Sequence, residues 1–187
     1  MAVRTLTNLV GNITSKDRFP RQEVVLRCLE NKFGPSQSSG NPMITLEWEI
    51  IHPESVTING EVKNIMGVKP GSSYFPTIVL AEDKSRNNAK SDAALARLRD
   101  FRKAAGLPAD EIDDENPTLD YKGLCVDAVC SAEEYKLHKE PTAEQLARGQ
   151  RQGDPMTDAS GKPLVGYRIK VDNILGKSQK VNATSAV

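Results

Sequence analysis

The chain has 187 residues, 38% hydrophobic and 27% charged, which suits one packed core with long loops and leaves too little length for two ordinary domains. Its formal net charge is zero, which argues against a strongly electrostatic nucleic-acid binder. No apolar run approaches the ~20 residues that span a bilayer, and the stretch from Met1 to Gly11 makes a poor signal peptide, so the cytoplasm is the expected location.

Residues 1–21 show no sustained period and read as an N-terminal arm. The first strand signal is the β-branched and apolar run Glu23–Glu30, which continues toward Phe33. The segment from Gly34 to Pro42 is loop by composition. The second strand is the clearest, because Ile44, Leu46, Trp48 and Ile50 alternate with Thr45, Glu47 and Glu49. Asn59-Gly60 then predicts a tight hairpin, since both residues tolerate positive φ. A third strand region resumes at Tyr74-Phe75-Pro76 and runs to Leu80, and Pro76 marks it as an edge or a bulge.

Over residues 88–105 the period changes to helical, with Ala94, Leu98, Phe101 and Ala105 on one face. Ser91 suits an N-cap, Gly106 suits the position just past the end, and Pro108 blocks continuation. The helix region is basic, whereas residues 110–120 carry only acidic charges. A fourth strand covers Gly123–Cys130. Cys125 and Cys130, an odd number of residues apart, fall on opposite faces of an extended strand, so with Cys28 they read as three reduced thiols rather than a disulfide framework. Residues 131–163 are polar, apart from a short helix announced by the Thr142/Gln145 capping box and ended by Gly149. The last strand, Leu164–Val171, alternates cleanly, and residues 177–187 read as a flexible tail.

Five strands with a helix between the third and fourth, and long loops between strands 1 and 2 and between strands 4 and 5, predict a mainly β domain over 22–176. That order matches the OB-fold, a five-stranded, partly open barrel that binds oligonucleotides or oligosaccharides. The run Ser38-Ser39-Gly40-Asn41-Pro42-Met43-Ile44 resembles a segment of phage-encoded single-stranded DNA-binding proteins. The alternating strand after it, and the helix that ends in Ala104-Ala105-Gly106-Leu107-Pro108, are similar too, so the resemblance spans roughly residues 22–130. It implies an OB-fold that coats single strands during phage DNA replication or recombination in the host cytoplasm, with replisome or recombinase proteins as further partners. Self-association is left open. The tail departs from many bacterial-type single-strand binders, which end in an acidic tip: here it carries Lys177 and Lys180 and no acidic side chain.

No enzymatic chemistry is announced. His52 and His138 lie at no metal-ligand spacing with a cysteine, so no metal or other cofactor is expected. Gly176-Lys177-Ser178 lacks the earlier glycine of a phosphate loop. Single-strand binding needs cations for phosphates and rings for bases. Aromatic residues are only 5% of the chain, so each one carries weight. Trp48 shares its face with the core residues, while Glu47 and Glu49 on the other face would repel phosphate. The candidate contacts are Lys32 and Phe33 at the first loop, Lys63, Lys69 with Tyr74 and Phe75, Tyr135 with Lys136 and Lys139 in the long loop between strands 4 and 5, and Tyr167, Arg168 and Lys170 on the last strand. The alternative is a structural or interaction β-protein, such as a virion component or adaptor, which the zero net charge and the acidic second strand favour.

Overall fold

Ile44, Leu46, Trp48 and Ile50 lie along one strand, and all four are buried on one side of a five-stranded sheet. The structure, a computed structural model, describes residues 11–35, 42–76, 88–108, 121–150 and 152–179. In chain order the elements are β1 (Gly11–Asn12), β2 (Gln22–Pro35), β3 (Pro42–His52), β4 (Ser55–Ile58), β5 (Glu61–Asn64), β6 (Ser73–Pro76), α1 (Asn88–Ala104), β7 (Cys125–Lys136), α2 (Ala143–Ala147) and β8 (Val165–Lys177). The main sheet is antiparallel throughout, in the order β6-β3-β2-β7-β8. A small sheet of β1, β5 and β4 stands beside it.

The expected mainly β architecture is present, with two helices and a five-stranded antiparallel main sheet. The sheet does not close into a barrel: no ladder joins β6 to β8 among the described residues. One backbone bond brings the two edges together, where the Gly71 N–H donates to the Ile169 carbonyl at 2.8 Å. Helix α1 packs against both edge strands and sends Leu98, Phe101 and Ala105 into the core. There Trp48 meets Phe101 edge-on at 6.4 Å, and Phe101 meets Tyr121 at 5.9 Å.

Local signals explain most element ends. Asn59 and Gly60 both have positive φ, 52° and 83°, so the β4–β5 hairpin is the tight turn that Asn-Gly predicts. Pro76 lies on β6, an outer strand, where its missing N–H breaks no central ladder. Past α1 the chain closes a Schellman turn, with Leu107 N–H donating to Arg102 O and Gly106, at φ 70°, donating to Lys103 O. Helix α1 starts at Asn88, so Ser91 lies inside it and is not the cap. The Thr142/Gln145 capping box forms with both reciprocal bonds.

Three strands run further than their apolar pattern. β2 reaches Pro35, β7 reaches Lys136 and β8 reaches Lys177. The added residues are paired by ladder bonds and polar cross-strand contacts, and only a few of them, such as Ala132 and Ile174, pack against the core, so no clear alternation marks them. Residues 11–21, read as an arm, contribute β1 to the small sheet and bury Phe19 in the core. Residues 36–41, the acidic stretch 110–120 and the tail from 180 onward lie outside the described residues, as do Thr77–Leu80.

Candidate nucleic-acid interface

The face of β2 and β3 turned away from the core carries alternating charge. Glu49 accepts from Arg27 Nε at 2.6 Å. Lys32 sits between Glu47 at 2.7 Å and Glu30 at 3.0 Å, two carboxylates that oppose each other across the ladder. The Lys32 hydrogen bond and charge hold the Glu47 carboxyl below the usual range, and Lys69 adds to this. The two glutamates expected to repel phosphate are therefore each held by a cation of β2. Lys32, Thr45 and Tyr74 occupy one cross-strand row of this face, on β2, β3 and β6. Tyr74 is 54% exposed.

Phe33 stands in the neighbouring row, opposite Ile44, on the core side of the sheet. It lies beyond the end of the packed interior and is 50% exposed. Phe75 opposes Ile44 from β6 by register, and its side chain lies outside the described residues.

The β7–β8 half is built differently. Tyr135 and Lys136 lie on β7, not in a loop, because the hairpin extends to the Lys136–Val165 pair. Tyr135 lies across from Gly166, and a Cβ added there would come within 3.0 Å of the ring. Arg168 stands 5.9 Å from the centre of the same ring and donates to Glu133 at 2.6 Å. Lys170 pairs with Asp172 at 3.2 Å, which also faces Arg21 at 3.8 Å. Burial pushes the Asp172 carboxyl up, but the Ser131 hydroxyl, Lys170 and Arg21 outweigh it and leave the group below its usual range. Tyr167 shares the core-side face with Ile169, and its backbone N–H donates to Ser15 O at 2.7 Å.

Two of the remaining candidates stand apart from these faces. Lys63 belongs to the small sheet, where it meets Glu61 at 2.8 Å and Asp17 at 3.8 Å. Lys139 lies in the lobe between β7 and β8, where its backbone N–H donates to Asp154 O at 2.9 Å. The structure thus gathers Lys32, Lys69 and Tyr74 around β2, β3 and β6, and Tyr135, Arg168 and Lys170 on β7 and β8.

A cleft of about 620 Å³ opens where the two sheet edges diverge below the Gly71–Ile169 bond. Its walls are Ser72–Tyr74, the Arg97–Phe101 turn of α1 and Val171–Ile174 of β8. Sequence reasoning passes over this cleft, because three segments far apart in the chain supply its walls. Arg97 is one of several basic residues in the helix region, and Asn173 lies beyond the predicted strand end.

Among the described residues no group of three His, Cys, Asp or Glu is placed to hold a metal, and no helix is long and apolar enough to cross a membrane. Cys28, Cys125 and Cys130 are not in disulfides, and burial pushes the Cys130 thiol up to about 12. No protein-family model, curated protein or solved structure matches the chain.

Proposed function

We propose that this protein binds single-stranded DNA without sequence preference, on an OB-type domain, and uses no cofactor. The observation that carries the reading is the Lys32–Thr45–Tyr74 row. It places a half-exposed ring and a cation in one row, with Thr45 between them, on a face where Glu47 and Glu49 are already paired. Ring and cation are the two components of a single-strand platform. Strand order supports the fold assignment. Counting only the main sheet, the order is 3-2-1-4-5, and the Gly71–Ile169 bond brings strands 3 and 5 together as a partly open barrel requires. Replication or recombination in a phage-infected cell is the setting that the sequence resemblance suggests.

Anisotropy of a labelled oligo-dT, titrated with the full chain at low and moderate salt, tests the proposal. Binding is expected at low salt and should weaken as salt rises, because phosphate contacts release counterions. Absence of binding at low salt overturns it.

One observation favours a second reading, an interaction protein without nucleic acid. Lys32, Lys63, Arg168 and Lys170 each already face a carboxylate of the same chain. Exposed Leu146, Met156, Leu164 and Val165 also gather in and around the β7–β8 lobe. A defined multimer in light scattering, together with no oligonucleotide binding, would select it.

A further inference from the structure

We propose that the cleft between β6, α1 and β8 is a pocket for one unpaired nucleobase and its phosphate, entered from a strand lying across the β2–β3–β6 face. This rests on the DNA-binding reading above and gives it a specific subsite.

The cleft, at about 620 Å³, has the size of a small-molecule site, which runs roughly 300–1,000 Å³. Tyr74 belongs both to the outward row and to the cleft wall, so a strand that reaches the row arrives at the cleft. The wall materials fit a nucleotide. Tyr74 offers a ring for stacking, and Phe101 and Ile174 add an apolar surface. The Asn173 amide carries both donor and acceptor, as a base edge does. The Arg97 guanidinium presents a fork suited to phosphate oxygens. Asp100, one helical turn on, excludes phosphate from its own end and so sets the polarity of the bound nucleotide.

The backbone explains how β8 contributes four consecutive residues to one wall. The β7–β8 register slips between Cys130–Val171 and Val129–Asn173, leaving Asp172 without an opposite residue. A regular strand sends successive side chains to opposite faces, and a bulge re-aims them. Asp172 is engaged by Lys170 and Arg21, which leaves Asn173 as the neutral polar group on that side. A base held in a duplex reaches such a pocket only after it is unstacked and unpaired, which costs free energy. The pocket therefore selects single strands over duplexes.

The chain carries its own reporter. Trp48 is its single tryptophan, and the indole N–H donates at 2.9 Å to the Ser73 hydroxyl on the cleft wall. The full chain is titrated with dAMP, dCMP, dGMP and dTMP separately, following Trp48 emission and, in parallel, the heat of binding. Saturable binding of at least one nucleotide is expected. The exposed-site variants Arg97→Ala and Asn173→Ala, checked for folding by circular dichroism, should each weaken it at least about fivefold, as loss of a charge-assisted or base-edge hydrogen bond does. Saturable binding that both variants leave unchanged overturns the pocket. If oligo-dT binds but no nucleotide gives a saturable signal at millimolar concentration by either readout, the pocket is overturned and the strand-binding reading stands. If a nucleotide binds, the variants weaken it and oligo-dT does not bind, the pocket stands as a free-nucleotide site and the strand-binding reading is overturned.

Discussion

Tyr74 on β6 and Tyr135 on β7 each share a cross-strand face with cations of the same five-stranded sheet, yet their surroundings differ. Tyr135 covers the gap left by Gly166, with Arg168 against its ring and Glu133 holding Arg168 in place. Tyr74 opposes Thr45, has a cleft at its side and is half open to solvent. Tyr135 faces a glycine and fills the space beside it, whereas Tyr74 faces a short threonine and keeps half of its surface open. Residue type and neighbouring charge, which are all that sequence offers, do not separate the two.

The largest effect should come from the lobe that continues the Tyr135 half. A Cβ on Gly153 would lie 2.6 Å from Glu140 O and 2.7 Å from Lys139 O, both backbone atoms. Gly153→Ala should therefore cost about 1–3 kcal/mol in stability, as forced overpacking does. Chemical denaturation measures this, and oligo-dT affinity should stay unchanged; loss of both together would mean the lobe takes part in binding.

The paired substitution at the two tyrosines is the direct test of the contrast. Tyr74→Ala should lower oligo-dT affinity by roughly 1–3 kcal/mol, the value of one lost stack, with little change in stability. Tyr135→Ala should do the reverse, shifting the denaturation midpoint while affinity stays within about twofold, because the Arg168 contact and the cover over Gly166 are lost. Equal losses of affinity in both variants would erase the distinction.

A smaller effect is expected at Glu47. Glu47→Gln frees Lys32 from one of its two carboxylates, so oligo-dT should bind slightly more tightly, as expected for an exposed and solvent-screened pair. Weaker binding would show that the carboxylate positions Lys32 rather than competing with phosphate.

Smallest is a pH effect on the same pair. The folded Glu47 carboxyl lies below its ordinary value, chiefly through Lys32. Its contribution to stability is then fully present above the ordinary carboxylate range and is lost as pH falls through the lowered folded value. The drop in melting temperature between neutral and acidic pH should be slightly less in Glu47→Gln than in the parent chain, and an equal drop would mean Lys32 gives the folded carboxylate no advantage.

What the sequence disclosed follows burial. The β3 alternation, the Asn59-Gly60 hairpin, the buried helix face at Leu98, Phe101 and Ala105, and the Gly106 turn each rest on a local rule, and each is present. Residues 131–136 were hidden because their strand is held by partners such as Glu133–Arg168, more than thirty positions apart, and not by an apolar face. The pairing that neutralises Glu47 and Glu49 was hidden for the same reason, since it depends on the β2–β3 register and its two slips. The cleft was the least legible feature, because a bulge at Asp172 shapes it and no composition announces a bulge.

The bond from Gly71 to Ile169 gives the curled sheet a gauge of its own. Among the described residues it ties the segment just before β6 to β8, so breathing of the seam that separates β6 from β8 should stretch or break it. Hydrogen exchange at the Gly71 amide would then time the opening of the seam, and a ligand seated in the cleft beside it would slow that single clock while leaving the amides of the central β2–β3 ladder unchanged.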